Sequence, residues 1–167
     1  MNWYAAKVKY QTERKIKTWL DKQAIESFIP FRNVLIERNG RKINKEKPVA
    51  PGLLFMRTDY QTASTLSVEA RTKMTFYRDI ESHQLLVVPD KQMEDFMFLL
   101  DFSESAVQVE NANLKRGDRV KVIKGDFAGI EGELVRIKGH KRVIVRLEGL
   151  FSLATAYIPS AFLEKIE

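Results

Sequence analysis

Six of the eight glycines fall after residue 113, and only Gly40 and Gly52 precede it. Each glycine inside a helix costs about 1 kcal/mol relative to alanine. The last third of the chain therefore reads as short strands joined by tight turns. Five apolar-alternating segments fit: Arg119 to Ile123, Glu133 to Ile137, Arg142 to Leu147, Ser152 to Ile158 and Phe162 to Ile166. Their joints are Lys124-Gly125-Asp126, Lys138-Gly139-His140, Glu148-Gly149 and Pro159. A flat sheet of that size would leave half its apolar side chains in water, so the expected form is a small five-stranded, SH3-like β-barrel.

Ahead of it, Ser103 to Asn113 has no aromatic residue and carries two acids and no base. It reads as a flexible linker. The expected organisation is a first domain over residues 1–102, a linker over 103–113 and a barrel domain over 114–167. The first domain alternates strands and helices. Tyr4, Ala6, Val8 and Tyr10 alternate with Lys7 and Lys9 as a half-buried strand. Ile16, Trp19, Leu20 and Ala24 recur at helical spacing, which places Trp19 in a core. Asn39-Gly40, between the β-rich Phe28 to Arg38 and the basic Arg41 to Lys47, is a two-residue hairpin signal. Pro48 to Arg57 is an apolar strand, Asp59 to Ala70 a helix weakened by its Ser and Thr content, and Met74 to Arg78 and Leu85 to Val88 short strands. From Asp90, Met93, Phe96, Met97 and Leu100 mark one apolar helix face, with Asp90, Glu94 and Asp95 expected on a solvated one. The order is that of a ferredoxin-like α/β sandwich, giving an α+β fold class overall.

Composition narrows the function. There is no cysteine, which removes disulfides, zinc fingers, iron–sulfur sites and a cysteine nucleophile. His83 and His140 are the only histidines, too few for a three-histidine metal site. There is no phosphate-binding loop, nucleophile elbow or dinucleotide fingerprint, so the chain is expected not to be an enzyme and to need no cofactor or metal. No stretch has the length of a signal peptide or membrane span, so a cytoplasmic protein that does not engage a membrane is expected. The net charge of +6 and pI near 9.5 favour a polyanionic partner.

Two sets of residues carry a resemblance. Trp3-Tyr4 opening a basic strand, Glu13 starting a basic helix, and Pro51-Gly52 opening an apolar strand after a basic hairpin resemble the N-terminal domain of the NusG family. Lys115-Arg116-Gly117-Asp118-Arg119-Val120-Lys121-Val122 followed by Gly125-Asp126-Phe127-Ala128-Gly129-Ile130-Glu131-Gly132 is similar to the KOW motif of the same family. The resemblance implies a monomeric transcription elongation factor that binds the clamp region of RNA polymerase and modulates pausing, termination or antitermination. It implies a polymerase-facing patch of Trp3, Tyr4, Pro51, Leu53, Phe55 and Phe76, and contact of Lys9, Arg14 and Lys15 with non-template or upstream DNA. The basic hairpin, through Arg41 and Lys42, is a further nucleic-acid candidate, phosphate contact needing only positive charge within reach. Phe127 and Ile130 in the glycine-rich loop are expected to meet a second protein, either a ribosomal protein or a termination factor.

The chain departs from the common family pattern. Val49-Ala50 stand before Pro51-Gly52 where two phenylalanines are usual, and Leu150-Phe151-Ser152-Leu153 replaces an Ile-Phe-Gly-Arg segment. These departures favour a specialised paralogue over the housekeeping factor, and Ile25-Glu26-Ser27-Phe28-Ile29-Pro30 resembles the corresponding stretch of antiterminators that act on polysaccharide operons. The alternative is a ribosome-associated or RNA-binding KOW protein, because basic barrels also bind RNA through shape and phosphates. Ribosomal KOW proteins lack the Trp-Tyr/Pro-Gly sandwich.

Overall fold

The computed structural model describes residues 1–103, 105–110 and 116–167. The chain forms two compact units, Met1–Asp90 and Lys91–Glu167.

In the first unit, a sheet runs in the order β2 (Glu26–Phe28), β5 (Leu53–Thr58), β1 (Asn2–Val8) and β6 (Met74–Phe76), with β7 (Val87–Val88) also paired to β1. All of these pairings are antiparallel. Helix α1 (Glu13–Asp21) contributes buried Ile16 and Leu20 to the core, and α2 (Tyr60–Glu69) contributes Ala63 and Leu66. They meet Tyr4, Ala6, Val8, Leu54 and Met56 from one sheet face, and Trp19 packs against the same cluster. Helix α2 forms despite its Ser and Thr because Asp59 caps it. The Asp59 carboxylate accepts from the Thr62 backbone N–H at 2.9 Å and from its hydroxyl at 2.7 Å. Those bonds hold the Asp59 carboxyl below its usual range.

Strands β3 (Phe31–Arg38) and β4 (Arg41–Pro48) form a separate two-stranded ribbon. Its turn is Asn39-Gly40, with φ of +52° and +70°, the positive pair that a two-residue turn of this hand requires.

In the second unit, six strands pair in the order β13 (Leu163–Lys165), β9 (Asp118–Val122), β10 (Glu131–Ile137), β11 (His140–Leu147), β12 (Phe151–Thr155) and β8 (Val107–Glu110). The five expected strands are present, and β8 is an addition drawn from the expected linker. Val107 and Val109 alternate with Gln108, and Val107 is fully buried where it pairs with Thr155. A four-residue strand with two valines is too short to stand out from a polar stretch. The segment from 103 to 113 is therefore not a free tether throughout: 107–110 is strand, while Glu104 and residues 111–115, including Lys115, lie outside the described residues.

The two compact units divide at 90/91, ahead of the boundary expected at 102/103. Helix α3 (Asp90–Leu100) belongs, from Lys91 on, to the second unit. The Phe96 ring meets Phe151 edge-on with centroids 5.5 Å apart, and Phe102 lies 4.7 Å from Phe127. Asp95 is buried rather than solvated. One of its oxygens accepts from Lys91 Nζ at 2.5 Å, and the other from the Glu131 backbone N–H at 3.1 Å. Lys91 Nζ donates as well to the Gly129 carbonyl at 2.9 Å. Burial pushes the Asp95 carboxyl above its usual range, against the lowering effect of Lys91 and the Glu131 amide.

Candidate functional site

The expected apolar patch divides between two sheet faces. Trp3 and Tyr4 are adjacent on β1, and successive strand residues point to opposite faces. Tyr4, fully buried, and Phe76, opposite Ala6, join the core beneath α1 and α2. Trp3, Leu53 and Phe55 share the other face: Ala5 pairs with Phe55, Lys7 with Leu53, and Phe28 lies 6.5 Å from the Phe55 ring. That face is also buried, with Trp3 6%, Leu53 3% and Phe55 0% exposed. Pro51 alone of the six is exposed. The six therefore do not make one open surface. The period-two alternation of β1 already contained this split.

The Pro51-Gly52 turn is held on both sides. The Gly52 N–H donates to the Glu13 carboxylate at 2.9 Å, and the Gly52 carbonyl accepts from the Val8 N–H at 2.7 Å. Glu13 is 4% exposed. Gly52 has φ of +76°, and a Cβ there would sit 2.6 Å from the Val8 carbonyl oxygen, so only glycine fits. Glu13 thus seats the turn against the start of α1, a role that its place as a helix-opening acid did not reveal.

The basic candidates also separate. Lys9 and Lys15 are exposed. Arg14 is engaged within the protein, in an ion pair with Glu46 and with its guanidinium 4.6 Å from the Phe31 ring centroid. A groove of about 440 Å³ lies beside it between α1 and the 27–31 segment, lined by Lys17, Thr18, Phe28 and Phe31. Arg41 and Lys42 are neighbours on β4 and so lie on opposite ribbon faces.

Of the two loop residues in the second unit, Phe127 is half-buried beside Phe102, and Ile130 is 1% exposed. Ile130 is a core residue whose carbonyl accepts from the Val122 N–H at 2.9 Å, which removes it from the expected partner surface. Phe127 borders a groove of about 220 Å³ with Lys124, Tyr157, Pro159 and Phe162. Tyr157, Pro159 and Phe162 come from the segment between β12 and β13, far along the chain, and no local motif joins them to the loop.

The best-built polar group of this unit is an ion pair. Arg146 Nε donates to one Glu133 oxygen at 2.9 Å and an Arg146 amine to the other at 3.1 Å, while the Gly117 N–H adds a bond at 3.2 Å. Burial works to raise the Glu133 carboxyl, but the hydrogen bonds and the charges of Arg146 and Arg116 outweigh it and hold it below its usual range. Among the described residues, no group of three or more His, Asp or Glu side chains is placed to hold a metal, and no helix is long and apolar enough to cross a membrane.

Comparison with known proteins agrees with the order of these two units. Residues 1–97 match the family model described as transcription termination factor nusG, and residues 116–146 match the KOW motif. Transcription termination/antitermination proteins NusG of Streptococcus pyogenes serotypes M3 and M1 are 26% identical over 140 residues, covering 83% of this chain and 77% of theirs. A solved structure of Thermotoga maritima NusG aligns over 99% of this chain and 97% of its own, at 23% identity and a TM-score of 0.45. The chain belongs to the NusG family of transcription factors.

Proposed function

We propose that this NusG-family factor rides on elongating RNA polymerase through its first unit and recruits a second protein through its KOW unit. The observation that carries the reading is the succession of a NusG match over 1–97 and a KOW match over 116–146 in one chain. The clamp region is the proposed polymerase site. Its candidate contacts are Trp3, Leu53 and Phe55, which share one sheet face; being buried, they must become accessible for that contact. Tyr4 and Phe76 serve the core instead. Lys9 and Lys15, both exposed, are the α1-side candidates for non-template or upstream DNA. Phe127 and its groove are the proposed seat of a ribosomal protein or termination factor, an apolar ring beside a concavity being a usual anchor for an interface. The departures at Val49-Ala50 and Leu150 to Leu153 favour a specialised factor acting on particular operons.

Co-purification tests the reading. Tagged full-length protein is expected to retain RNA polymerase through a nuclease wash. Retention of ribosomal subunits without polymerase would instead favour the ribosome-associated alternative.

A further inference from the structure

The groove of about 220 Å³ in the second unit is walled by three aromatic rings, those of Phe127, Tyr157 and Phe162. Among the described residues none of the three stacks on another; two of them pair away from the groove. Phe127 rests on Phe102 with centroids 4.7 Å apart, and Tyr157 meets the His140 ring edge-on at 6.2 Å. The Phe162 ring lies so close to Gly125 that a Cβ there would be 3.2 Å from it. The backbone that carries the rings is tied as well. The Gly129 N–H donates to the Val122 carbonyl at 2.8 Å, the Ile123 N–H to the Phe162 carbonyl at 2.8 Å, and the Ile158 N–H to the Lys141 carbonyl at 3.2 Å. Val122 and Ile158, both buried, complete the lining. The concavity is therefore preformed, with slots between fixed rings.

Packing of the barrel explains Val122 and Ile158. It does not explain Tyr157, which is 58% exposed and held in water by a histidine ring beside an open slot. Lys124 and Asp126, at the same groove, are exposed. Among the described residues, neither of them makes a hydrogen bond or ion pair, and the Tyr157 hydroxyl makes no hydrogen bond. The groove thus offers apolar slots, two donors in the Tyr157 hydroxyl and the Lys124 ammonium, and a carboxylate that can only accept.

We propose that this groove takes a proline-rich segment in the polyproline II conformation with a basic residue at one end; this rests on the reading of the groove as a partner seat and names the chemistry of the partner. Aromatic-lined grooves recognise polyproline II because its rings enter slots and its backbone is already ordered. Proline has no N–H, and the helix leaves its carbonyls unbonded, so the groove has to supply donors, as Tyr157 and Lys124 do. Asp126 needs a donor from the ligand, and a Lys or Arg beside the prolines brings one with opposite charge. Other occupants fit less well. An added strand needs a free edge, and β9, which brings Val122 to the groove, is paired on both edges, with β10 and β13. A helix, about 10–12 Å across with its side chains, is too wide to enter slots between rings. A nucleic acid strand would bring phosphates to the Asp126 carboxylate, and like charge opposes that.

Fluorescence anisotropy of the full-length protein tests this with a labelled peptide of the pattern Arg-x-x-Pro-x-x-Pro. The comparison probes are the same peptide with alanine for proline, the same with glutamate for arginine, and a labelled single-stranded oligouridylate. Circular dichroism confirms that each variant is folded. The wild type is expected to bind the proline peptide about tenfold or more tightly than its alanine version, and Tyr157→Ala to lose about tenfold or more. Tyr60→Ala, which removes a similarly exposed tyrosine of the first unit, should stay within about twofold of wild type. Asp126→Lys should invert the preference between the arginine and glutamate peptides. No binding by the wild type, equal binding of the alanine version, unchanged affinity in Tyr157→Ala, an unchanged preference in Asp126→Lys, or tighter binding of the oligouridylate that Tyr157→Ala abolishes overturns the proposal. Purified ribosomal proteins and termination factor are scored separately against wild type and Tyr157→Ala. If one of them binds in a Tyr157-dependent way and the peptide does not bind, the groove remains a partner seat and only its ligand class is wrong. If none of them binds and the peptide does, the partner reading fails and the ligand class stands.

Discussion

Strand β5 and the β3–β4 ribbon are separated by only residues 49–52, yet they end in opposite surroundings. In β5 Leu53, Leu54, Phe55 and Met56 are all buried, so both sides of the strand are packed. In the ribbon every residue from Glu37 to Lys47 is exposed. Both are extended, but β5 is paired on both edges, with β1 and β2, while β3 and β4 pair only with each other. A strand apolar at consecutive positions has to be buried on both faces, whereas the outer part of the ribbon, from Glu37 to Lys47, is charged on both faces and has little to bury. The first kind supplies stability and the second supplies surface. Leu53 and Phe55 can thus meet a partner only once their face is uncovered, and the ribbon is where substitutions leave the fold unchanged.

The sharpest test of that contrast is Leu53→Asp. A carboxylate at a position 3% exposed has no partner and should cost about 4 kcal/mol or more, enough to unfold the first unit. A thermal melt showing wild-type stability would show that Leu53 faces solvent. Loss of polymerase capture by this variant reports on interface only if the melt is unchanged.

A charge can live in a buried strand when it is paired, as in β11, where Arg146 is 8% exposed between buried Val145 and Leu147. Arg146→Ala should destabilise the second unit by about 3 kcal/mol, because Glu133 is left partly buried without its guanidinium. The Glu133 carboxyl is depressed in the folded state, so its contribution is present above the ordinary glutamate pKa of 4.5 and is lost as pH falls through the lower folded value. Acid titration of stability should be steeper in the wild type than in Arg146→Ala; parallel acid limbs would contradict the pairing.

Two glycines with similar φ separate backbone strain from packing. Gly52→Ala meets the Val8 carbonyl oxygen and should cost about 2–3 kcal/mol, while Gly40→Ala, with nothing within 4 Å, should cost about 1 kcal/mol for its φ alone. Equal costs in denaturant titrations would mean that the turn at Gly52 can shift. The smallest effect is expected at Leu35, 73% exposed on the ribbon: Leu35→Lys should stay within about 0.5 kcal/mol of wild type.

What the sequence by itself determined is everything that depends on neighbours a few positions apart. The Asn39-Gly40 turn, the amphipathic α1 and α3, the five glycine-bounded strands and the NusG and KOW motifs are all local patterns. The separation of Trp3 from Tyr4 and of Arg41 from Lys42 was equally local, since alternation alone requires it. Tertiary structure decided what depends on distant partners. Whether Leu53 and Phe55 are surface or core turns on what lies over the second sheet face, and no spacing within β5 reports that. Asp95 sits on a helix face that reads as solvated, and it is buried because the Glu131 amide, 36 positions away, meets it. Val107 to Glu110 become a strand only because β12 offers an unpaired edge. Which residues of β3 and β4 share a ribbon face needed the register between them, because a shift of one residue would exchange the faces of one strand against the other.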